Sequence, residues 1–147
     1  MKRILTFGIS CIILLFTSCK KESTSANKCY LSISNIGNAY YYKITKITKG
    51  GSTIDISSVL NECQASARFE LYKTGVVNYV EEKAGCNYGY SGTWSLDVTN
   101  KTVTFNINNS LPITIQDANV KGWDCTDLVL DVTYAGDSYT VTFTKQK

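Results

Sequence analysis

The side chains that carry most protein chemistry are thinly represented in this chain of 147 residues. It contains no histidine, which removes the general base of Ser-His and Cys-His nucleophilic systems. Carboxylates stand together at Glu81-Glu82 and at Asp124 with Asp127. Neighbours along a strand point to opposite faces, so Glu81-Glu82 reads as solvated charge rather than a general acid-base pair. The acidic group from Asp124 to Asp131 lacks the Asp-x-Asp-x-Asp-Gly spacing of a calcium loop. No Cys-x-x-Cys spacing exists to join a zinc site. The sequence thus reads as non-enzymatic, with no catalytic residue, metal or cofactor.

Six cysteines are the exception to this scarcity. The N-terminus has a positive head, Met1-Lys2-Arg3, followed by an apolar run from Ile4 to Phe16. Thirteen residues are too few to cross a hydrocarbon core, which needs about 20, so this reads as a signal peptide over residues 1–18. The run ends on Phe16-Thr17-Ser18-Cys19, which resembles a bacterial lipobox. That resemblance implies cleavage before Cys19 and acylation of its sulfur and new amino group. Several acyl chains anchor stably where one would not. Residues 19–28 comprise the acylated Cys19 and a polar, aperiodic stretch, Lys20 to Lys28, that reads as a flexible tether. Lys20 replaces the Asp that marks inner-membrane retention in well-studied lipoproteins, which favours the outer membrane and leaves the leaflet open.

Cys11 leaves with the signal and Cys19 carries lipid, so Cys29, Cys63, Cys86 and Cys125 remain for an oxidising compartment. The midpoint of Cys63 and Cys86 falls between Thr74 and Gly75, in the turn of a hairpin running from Phe69 to Glu82. Paired strands bring symmetric positions together, so Cys63 is expected to join Cys86, worth roughly 3 kcal/mol, and by elimination Cys29 joins Cys125.

Cys19 to Lys147 holds 13 basic and 12 acidic residues, once Lys2 and Arg3 are removed from the 15 of the whole chain. A near-neutral chain without a basic cluster does not suit nucleic acid, whose binding rests on neutralised phosphates. Thr, Val and Ile number 40, and Pro112 is the single proline, a composition for unbroken strands.

The clearest local pattern is Gly92 to Ile107. Trp94, Leu96 and Val98 alternate with polar residues, as do Val103, Phe105 and Ile107, and Thr99-Asn100-Lys101 links the two runs. This predicts a hairpin with one buried face and with Asn100 in the left-handed turn position. Further strands are expected at Tyr30 to Asn35, Tyr40 to Thr48, Thr53 to Ile56, Phe69 to Leu71, Val76 to Glu82, Leu111 to Gln116, Leu128 to Thr133 and Tyr139 to Phe143. Ser57 or Ser58 is expected to cap a helical turn at Val59 to Glu62, and Gly85 to Gly92 reads as a loop. Strand candidates at this spacing imply an all-β antiparallel barrel of eight or nine strands or, alternatively, a β-sandwich, over residues 29–147.

Cys63, Phe69, Cys86, Gly92-Thr93-Trp94 and the closing Tyr139 to Lys145 together resemble the lipocalin-like domains of small bacterial outer-membrane lipoproteins. The first strand departs from that pattern, with Asn38-Ala39-Tyr40 in place of Gly-x-Trp. The resemblance implies an eight-stranded barrel and binding of a small apolar ligand. Phe69, Leu71, Trp94, Leu96, Phe105 and Phe143 are the candidate lumen residues. The alternative is a filled barrel that serves as an interaction or structural component of the cell envelope. Tyr40-Tyr41-Tyr42 with Tyr88 and Tyr90 form either a recognition surface or caps on the barrel ends. The lipobox carries a direct prediction: Cys19→Ser abolishes acyl labelling and releases the protein from carbonate-washed membranes, and retention of the variant there argues against the anchor.

Overall fold

Residues 29–146, apart from 87 and 108–113, are described by a computed structural model. The signal peptide, Cys19 and the tether to Lys28 lie outside the described residues, as do Leu111-Pro112-Ile113.

The first described element is a helical turn, α1 (Ile33–Ile36), where alternation suggests a strand from Tyr30 to Asn35. The cause is local hydrogen bonding. The Ser32 side chain accepts from the Asn35 amide at 3.2 Å, and Asn35 Nδ2 donates to the Tyr30 carbonyl at 2.7 Å, which takes the backbone out of competition for a ladder. Gly37 ends the turn, its amide donating to the Ile33 carbonyl at 2.7 Å.

Nine strands follow: β1 (Asn38–Lys49), β2 (Ser52–Ile54), β3 (Ala67–Tyr72), β4 (Val76–Glu81), β5 (Gly89–Asp97), β6 (Thr102–Ile107), β7 (Thr114–Trp123), β8 (Asp127–Tyr134) and β9 (Asp137–Lys145). Each of β3 to β9 is antiparallel to its neighbour, and β1 pairs with both β3 and β9. The result is a closed eight-stranded barrel, with β2 added to β1 as an extra strand; the sandwich alternative is excluded.

Between β2 and β3, helical turns at Ile56–Ser58 and α2 (Glu62–Ala65) replace the single turn expected over Val59 to Glu62. Asp55 and Asn61 are the caps, rather than Ser57 or Ser58. Asp55 Oδ1 accepts from the Ser57 amide at 2.9 Å, and Asn61 forms a reciprocal capping box with Gln64. β5 starts at Gly89, earlier than the glycines suggest, and β7 runs on to Trp123.

The hairpin of β5 and β6 has the expected register, Trp94 opposite Phe105 and Leu96 opposite Val103. Two details of its turn differ. Val98 is 52% exposed, because the strand ends at Asp97 and the turn releases the next side chain. The left-handed residue is Lys101, at φ 53°, and Asn100 serves by hydrogen bonding: Asp97 Oδ2 accepts from Asn100 Nδ2 at 2.7 Å, while Oδ1 accepts from the Thr99 and Asn100 amides.

Antiparallel order places α1 and the β3–β4, β5–β6 and β7–β8 turns at one end of the barrel. The β1–β2, β4–β5 and β8–β9 turns lie at the other. Trp94 seals the α1 end. Its indole Nε1 donates to the Tyr72 carbonyl at 2.8 Å, and a Cβ on Gly37 would lie 2.8 Å from the ring, so only glycine lets α1 approach this closely. Sequence alone points to packing on the closing strand near Val141 and Phe143; the contacts that position the ring are with the β3–β4 turn and Gly37. Beside it, Tyr42 is fully buried and donates its hydroxyl to the Ile36 carbonyl at 2.9 Å. Trp94→Ala is expected to cost roughly 3 to 5 kcal/mol, because a cavity opens and the Tyr72 carbonyl loses its donor. Thermal unfolding beside the wild type checks this, and a near-unchanged midpoint would mean that the α1 end is sealed by something other than the indole.

Candidate functional site

All six candidate lumen residues point inward and are buried, from 1% exposed at Leu71 and Phe143 to 9% at Leu96. Three of them meet at one level. Phe69 and Phe143 stand edge to face at 5.2 Å between ring centroids, Phe105 and Phe143 at 6.2 Å, and Phe69 lies 6.1 Å from Phe105. These rings come from β3, β6 and β9, spaced almost evenly around the eight-stranded circle, so together they cross the interior from wall to wall. Toward the α1 end, Leu71 pairs with Val77 and Leu96 with Val103, both partners fully buried. Small barrels of this strand number have interiors that side chains can fill.

Cys63 is joined to Cys86, and Cys29 to Cys125, the pairings expected from spacing. Glu81 lies near the first pair, but the two sulfurs are bonded to each other and offer no thiolate to a metal.

Of the carboxylates that stand together in the sequence, Glu81, Glu82 and Asp124 are occupied structurally, whereas Asp127 Oδ1 is buried without a hydrogen-bond partner. Glu81 accepts from the Tyr79 hydroxyl at 3.0 Å. Glu82 accepts from Lys43 Nζ and Arg68 Nη1, each at 2.6 Å, and hydrogen bonds first from Lys43, then from Arg68, hold its carboxyl below the ordinary carboxylate range. Arg68 also pairs with Glu70 and lies over the Tyr41 ring. Asp124 Oδ1 accepts from the Asp127 and Thr126 amides, which lower its pKa and fix the β7–β8 turn. The tyrosines divide by strand parity: Tyr42 faces the core and Tyr41 is half-buried under Arg68, while Tyr88 stacks on Tyr90 at the end opposite α1.

A groove of about 960 Å3 lies across β7, β8, β9 and β1. Its floor is a cross-strand row set by register: Thr48 opposite Thr140, Thr140 opposite Asp131, and Asp131 opposite Asn119. Thr140 Oγ1 donates to Asp131 Oδ1 at 2.7 Å, and Lys121 Nζ stands 3.4 Å from Asp131 Oδ2. Gly50, Gly51 and Gly136, all at positive φ, form turns on the rim. Tyr139 forms one edge, with Lys49 Nζ 5.4 Å above its ring. A mutual hydrogen bond holds the Lys49 ammonium above its usual pKa and the Asp137 carboxyl below its own. The floor offers hydroxyls, an amide and a charge-compensated carboxylate, all groups that hydrogen-bond.

Sequence reading did not find this groove. Its floor residues Thr48, Asn119, Asp131 and Thr140 occupy ordinary outward positions of alternating strands, and only the register of four strands brings them into a row.

No family model matches the sequence, and no curated protein matches it. Among solved structures, the chain is similar to a DUF4847 family protein from Bacteroides vulgatus, at 14% identity and a TM-score of 0.52, covering 79% of this chain and 100% of that one. At that identity the likeness is one of fold.

The charge network on the outer face yields a pH dependence. Glu82 has a lowered pKa when folded, so its stabilisation is present at neutral pH and is lost as pH falls through the carboxylate range. Glu82→Gln is expected to flatten the acid limb of stability against pH while costing no more than about 1 kcal/mol at neutrality, as partly exposed ion pairs do. Urea unfolding at pH 7 and pH 4 measures both; an unchanged acid limb would remove Glu82 from the account.

Proposed function

We propose that this chain is a lipid-anchored, lipocalin-like lipoprotein of the outer membrane whose barrel is filled and whose recognition surface is the external groove. It acts without catalysis, as an interaction module of the cell envelope. The observation that carries this reading is the Phe69, Phe105 and Phe143 contact, which occupies the interior at the level where a lumen ligand would sit. The same positions supported the alternative of a small apolar ligand within the barrel. Three mutually touching rings favour the filled form, because admitting a ligand would separate contacts that bury all three side chains. The groove suits an uncharged ligand rich in hydroxyl or amide groups: it supplies both donors and acceptors, and Lys121 offsets the charge of Asp131. Two disulfides accord with an oxidising, extracytoplasmic compartment.

Native mass spectrometry of the Cys19→Ser protein released from its host is the test. The expected spectrum contains the polypeptide mass alone. Reproducible co-purifying apolar mass, lost in a Phe105→Trp variant that remains folded, would restore the lumen reading.

A further inference from the structure

Large exposed hydrophobic side chains are distributed unequally between the two ends of the barrel. Among the described residues they are Tyr30 at 63% exposure, Ile33 at 41%, Val76 at 38%, Val98 at 52% and Tyr88 at 61%. The first four all belong to the α1 end: Tyr30 and Ile33 precede β1, Val76 leaves the β3–β4 turn and Val98 opens the β5–β6 turn. Among the described residues the opposite end carries Tyr88, and Gly50, Gly51 and Gly136 make the turns beside the groove; the β6–β7 connection at that end, with Leu111 and Ile113, lies outside the described residues.

The chain enters the domain at this same apolar end. Cys29 is bonded to Cys125 in the β7–β8 turn, with Cα atoms 5.5 Å apart, which pins the exit point of the preceding segment to the α1 end. Nine residues separate Cys29 from Cys19, a root-mean-square reach of roughly 17 Å for a flexible chain. Strands of this length, tilted as in small barrels, make a body about 20 to 25 Å tall. An acylated Cys19 therefore holds the α1 end, and not the groove end, against the bilayer.

We infer that the α1 end docks onto the lipid surface, with Tyr30, Ile33, Val76 and Val98 seated at the headgroup boundary and the groove turned away from the membrane. This rests on the lipid-anchor reading of Cys19. Tyr belongs at such a boundary, since its ring is apolar and its hydroxyl remains wet. Individually these side chains bind weakly, but an anchor only nine residues from the domain supplies an effective concentration of roughly millimolar, at which weak contacts become populated.

The test uses full-length acylated protein reconstituted in phosphatidylcholine vesicles containing brominated acyl chains, with Val98→Trp compared against Ser52→Trp at the opposite end. Quenching of the added fluorescence is expected to be several-fold greater at position 98, and an Ile33→Ser, Val76→Ser pair in the Val98→Trp protein should reduce it without loss of flotation. Equal quenching at both positions in floated, acylated protein overturns the docking and leaves the anchor intact. Absence of acyl mass at Cys19 with failure to float overturns the anchor reading and the docking with it. Protection of the same turns from hydrogen exchange in concentrated, vesicle-free Cys19→Ser protein would assign the face to a second copy and overturn the membrane as its partner.

Discussion

Closing eight strands into a ring determines most of what this domain can be. The radius follows from strand number and tilt, so the interior has a set cross-section that inward side chains must fill. Phe69, Phe105 and Phe143 span that cross-section, and the aliphatic residues around them are buried. Closure also makes demands on the backbone. β1 pairs on both edges and carries irregularities between Asn38 and Tyr41 and between Ile44 and Lys46, the second of which moves the inward position from Ile44 to Ile47. At Gly92, a Cβ would lie 2.1 Å from the Asn106 carbonyl oxygen, so β5 and β6 approach there as only glycine permits. Asp117, at φ 48°, interrupts β7 and replaces ladder bonds with its own: its amide donates to Thr104 Oγ1, and its carboxylate accepts from the same hydroxyl.

Much of this was legible before any coordinates. Period-2 alternation located the hairpins of β3 with β4 and β5 with β6, and the symmetric placement of Cys63 and Cys86 about Gly75 gave their pairing. The failures share a physical cause. At Tyr30 to Asn35 the alternation was present, but Ser32 and Asn35 satisfy the backbone locally and make α1. At Val98 the alternation extends past the end of β5, where Asp97 already begins the turn, and within that turn the left-handed position falls on Lys101 rather than on Asn100. Trp94 lies inside as alternation predicts, yet its partner Gly37 ends α1, a segment where alternation suggests a strand. Errors arose where a short polar side chain competes with the ladder, which hydropathy patterns do not register.

The candidate site illustrates a stricter limit. The parity of a strand tells which residues face inward, but not whether inward residues from different strands meet. Phe69, Phe105 and Phe143 stand at the same level because of the stagger between β3, β6 and β9, a property of the closed ring and of no single segment. The groove is hidden for the same reason, since Thr48, Asn119, Asp131 and Thr140 become neighbours only through three successive registers.

The two disulfides divide the labour between the ends of the barrel. Cys63 to Cys86 ties α2 to the β4–β5 loop, where Lys83 also pairs with Glu62, and so stiffens the end opposite α1. Cys29 to Cys125 closes a span of 96 residues, and a bridge over so long a loop restricts the unfolded chain more than a short staple does. Its position adds a mechanical consequence. A pull on the chain before Cys29 is delivered to the β7–β8 turn through the bridge, and α1 is bypassed. Without that bond the same force would act directly on α1, which the buried Ile36, the Tyr42 hydroxyl and the close packing of Gly37 against Trp94 hold to the barrel. For a domain held through the chain ahead of Cys29, as the proposed anchor would hold it, the Cys29 bridge takes the load before it reaches α1.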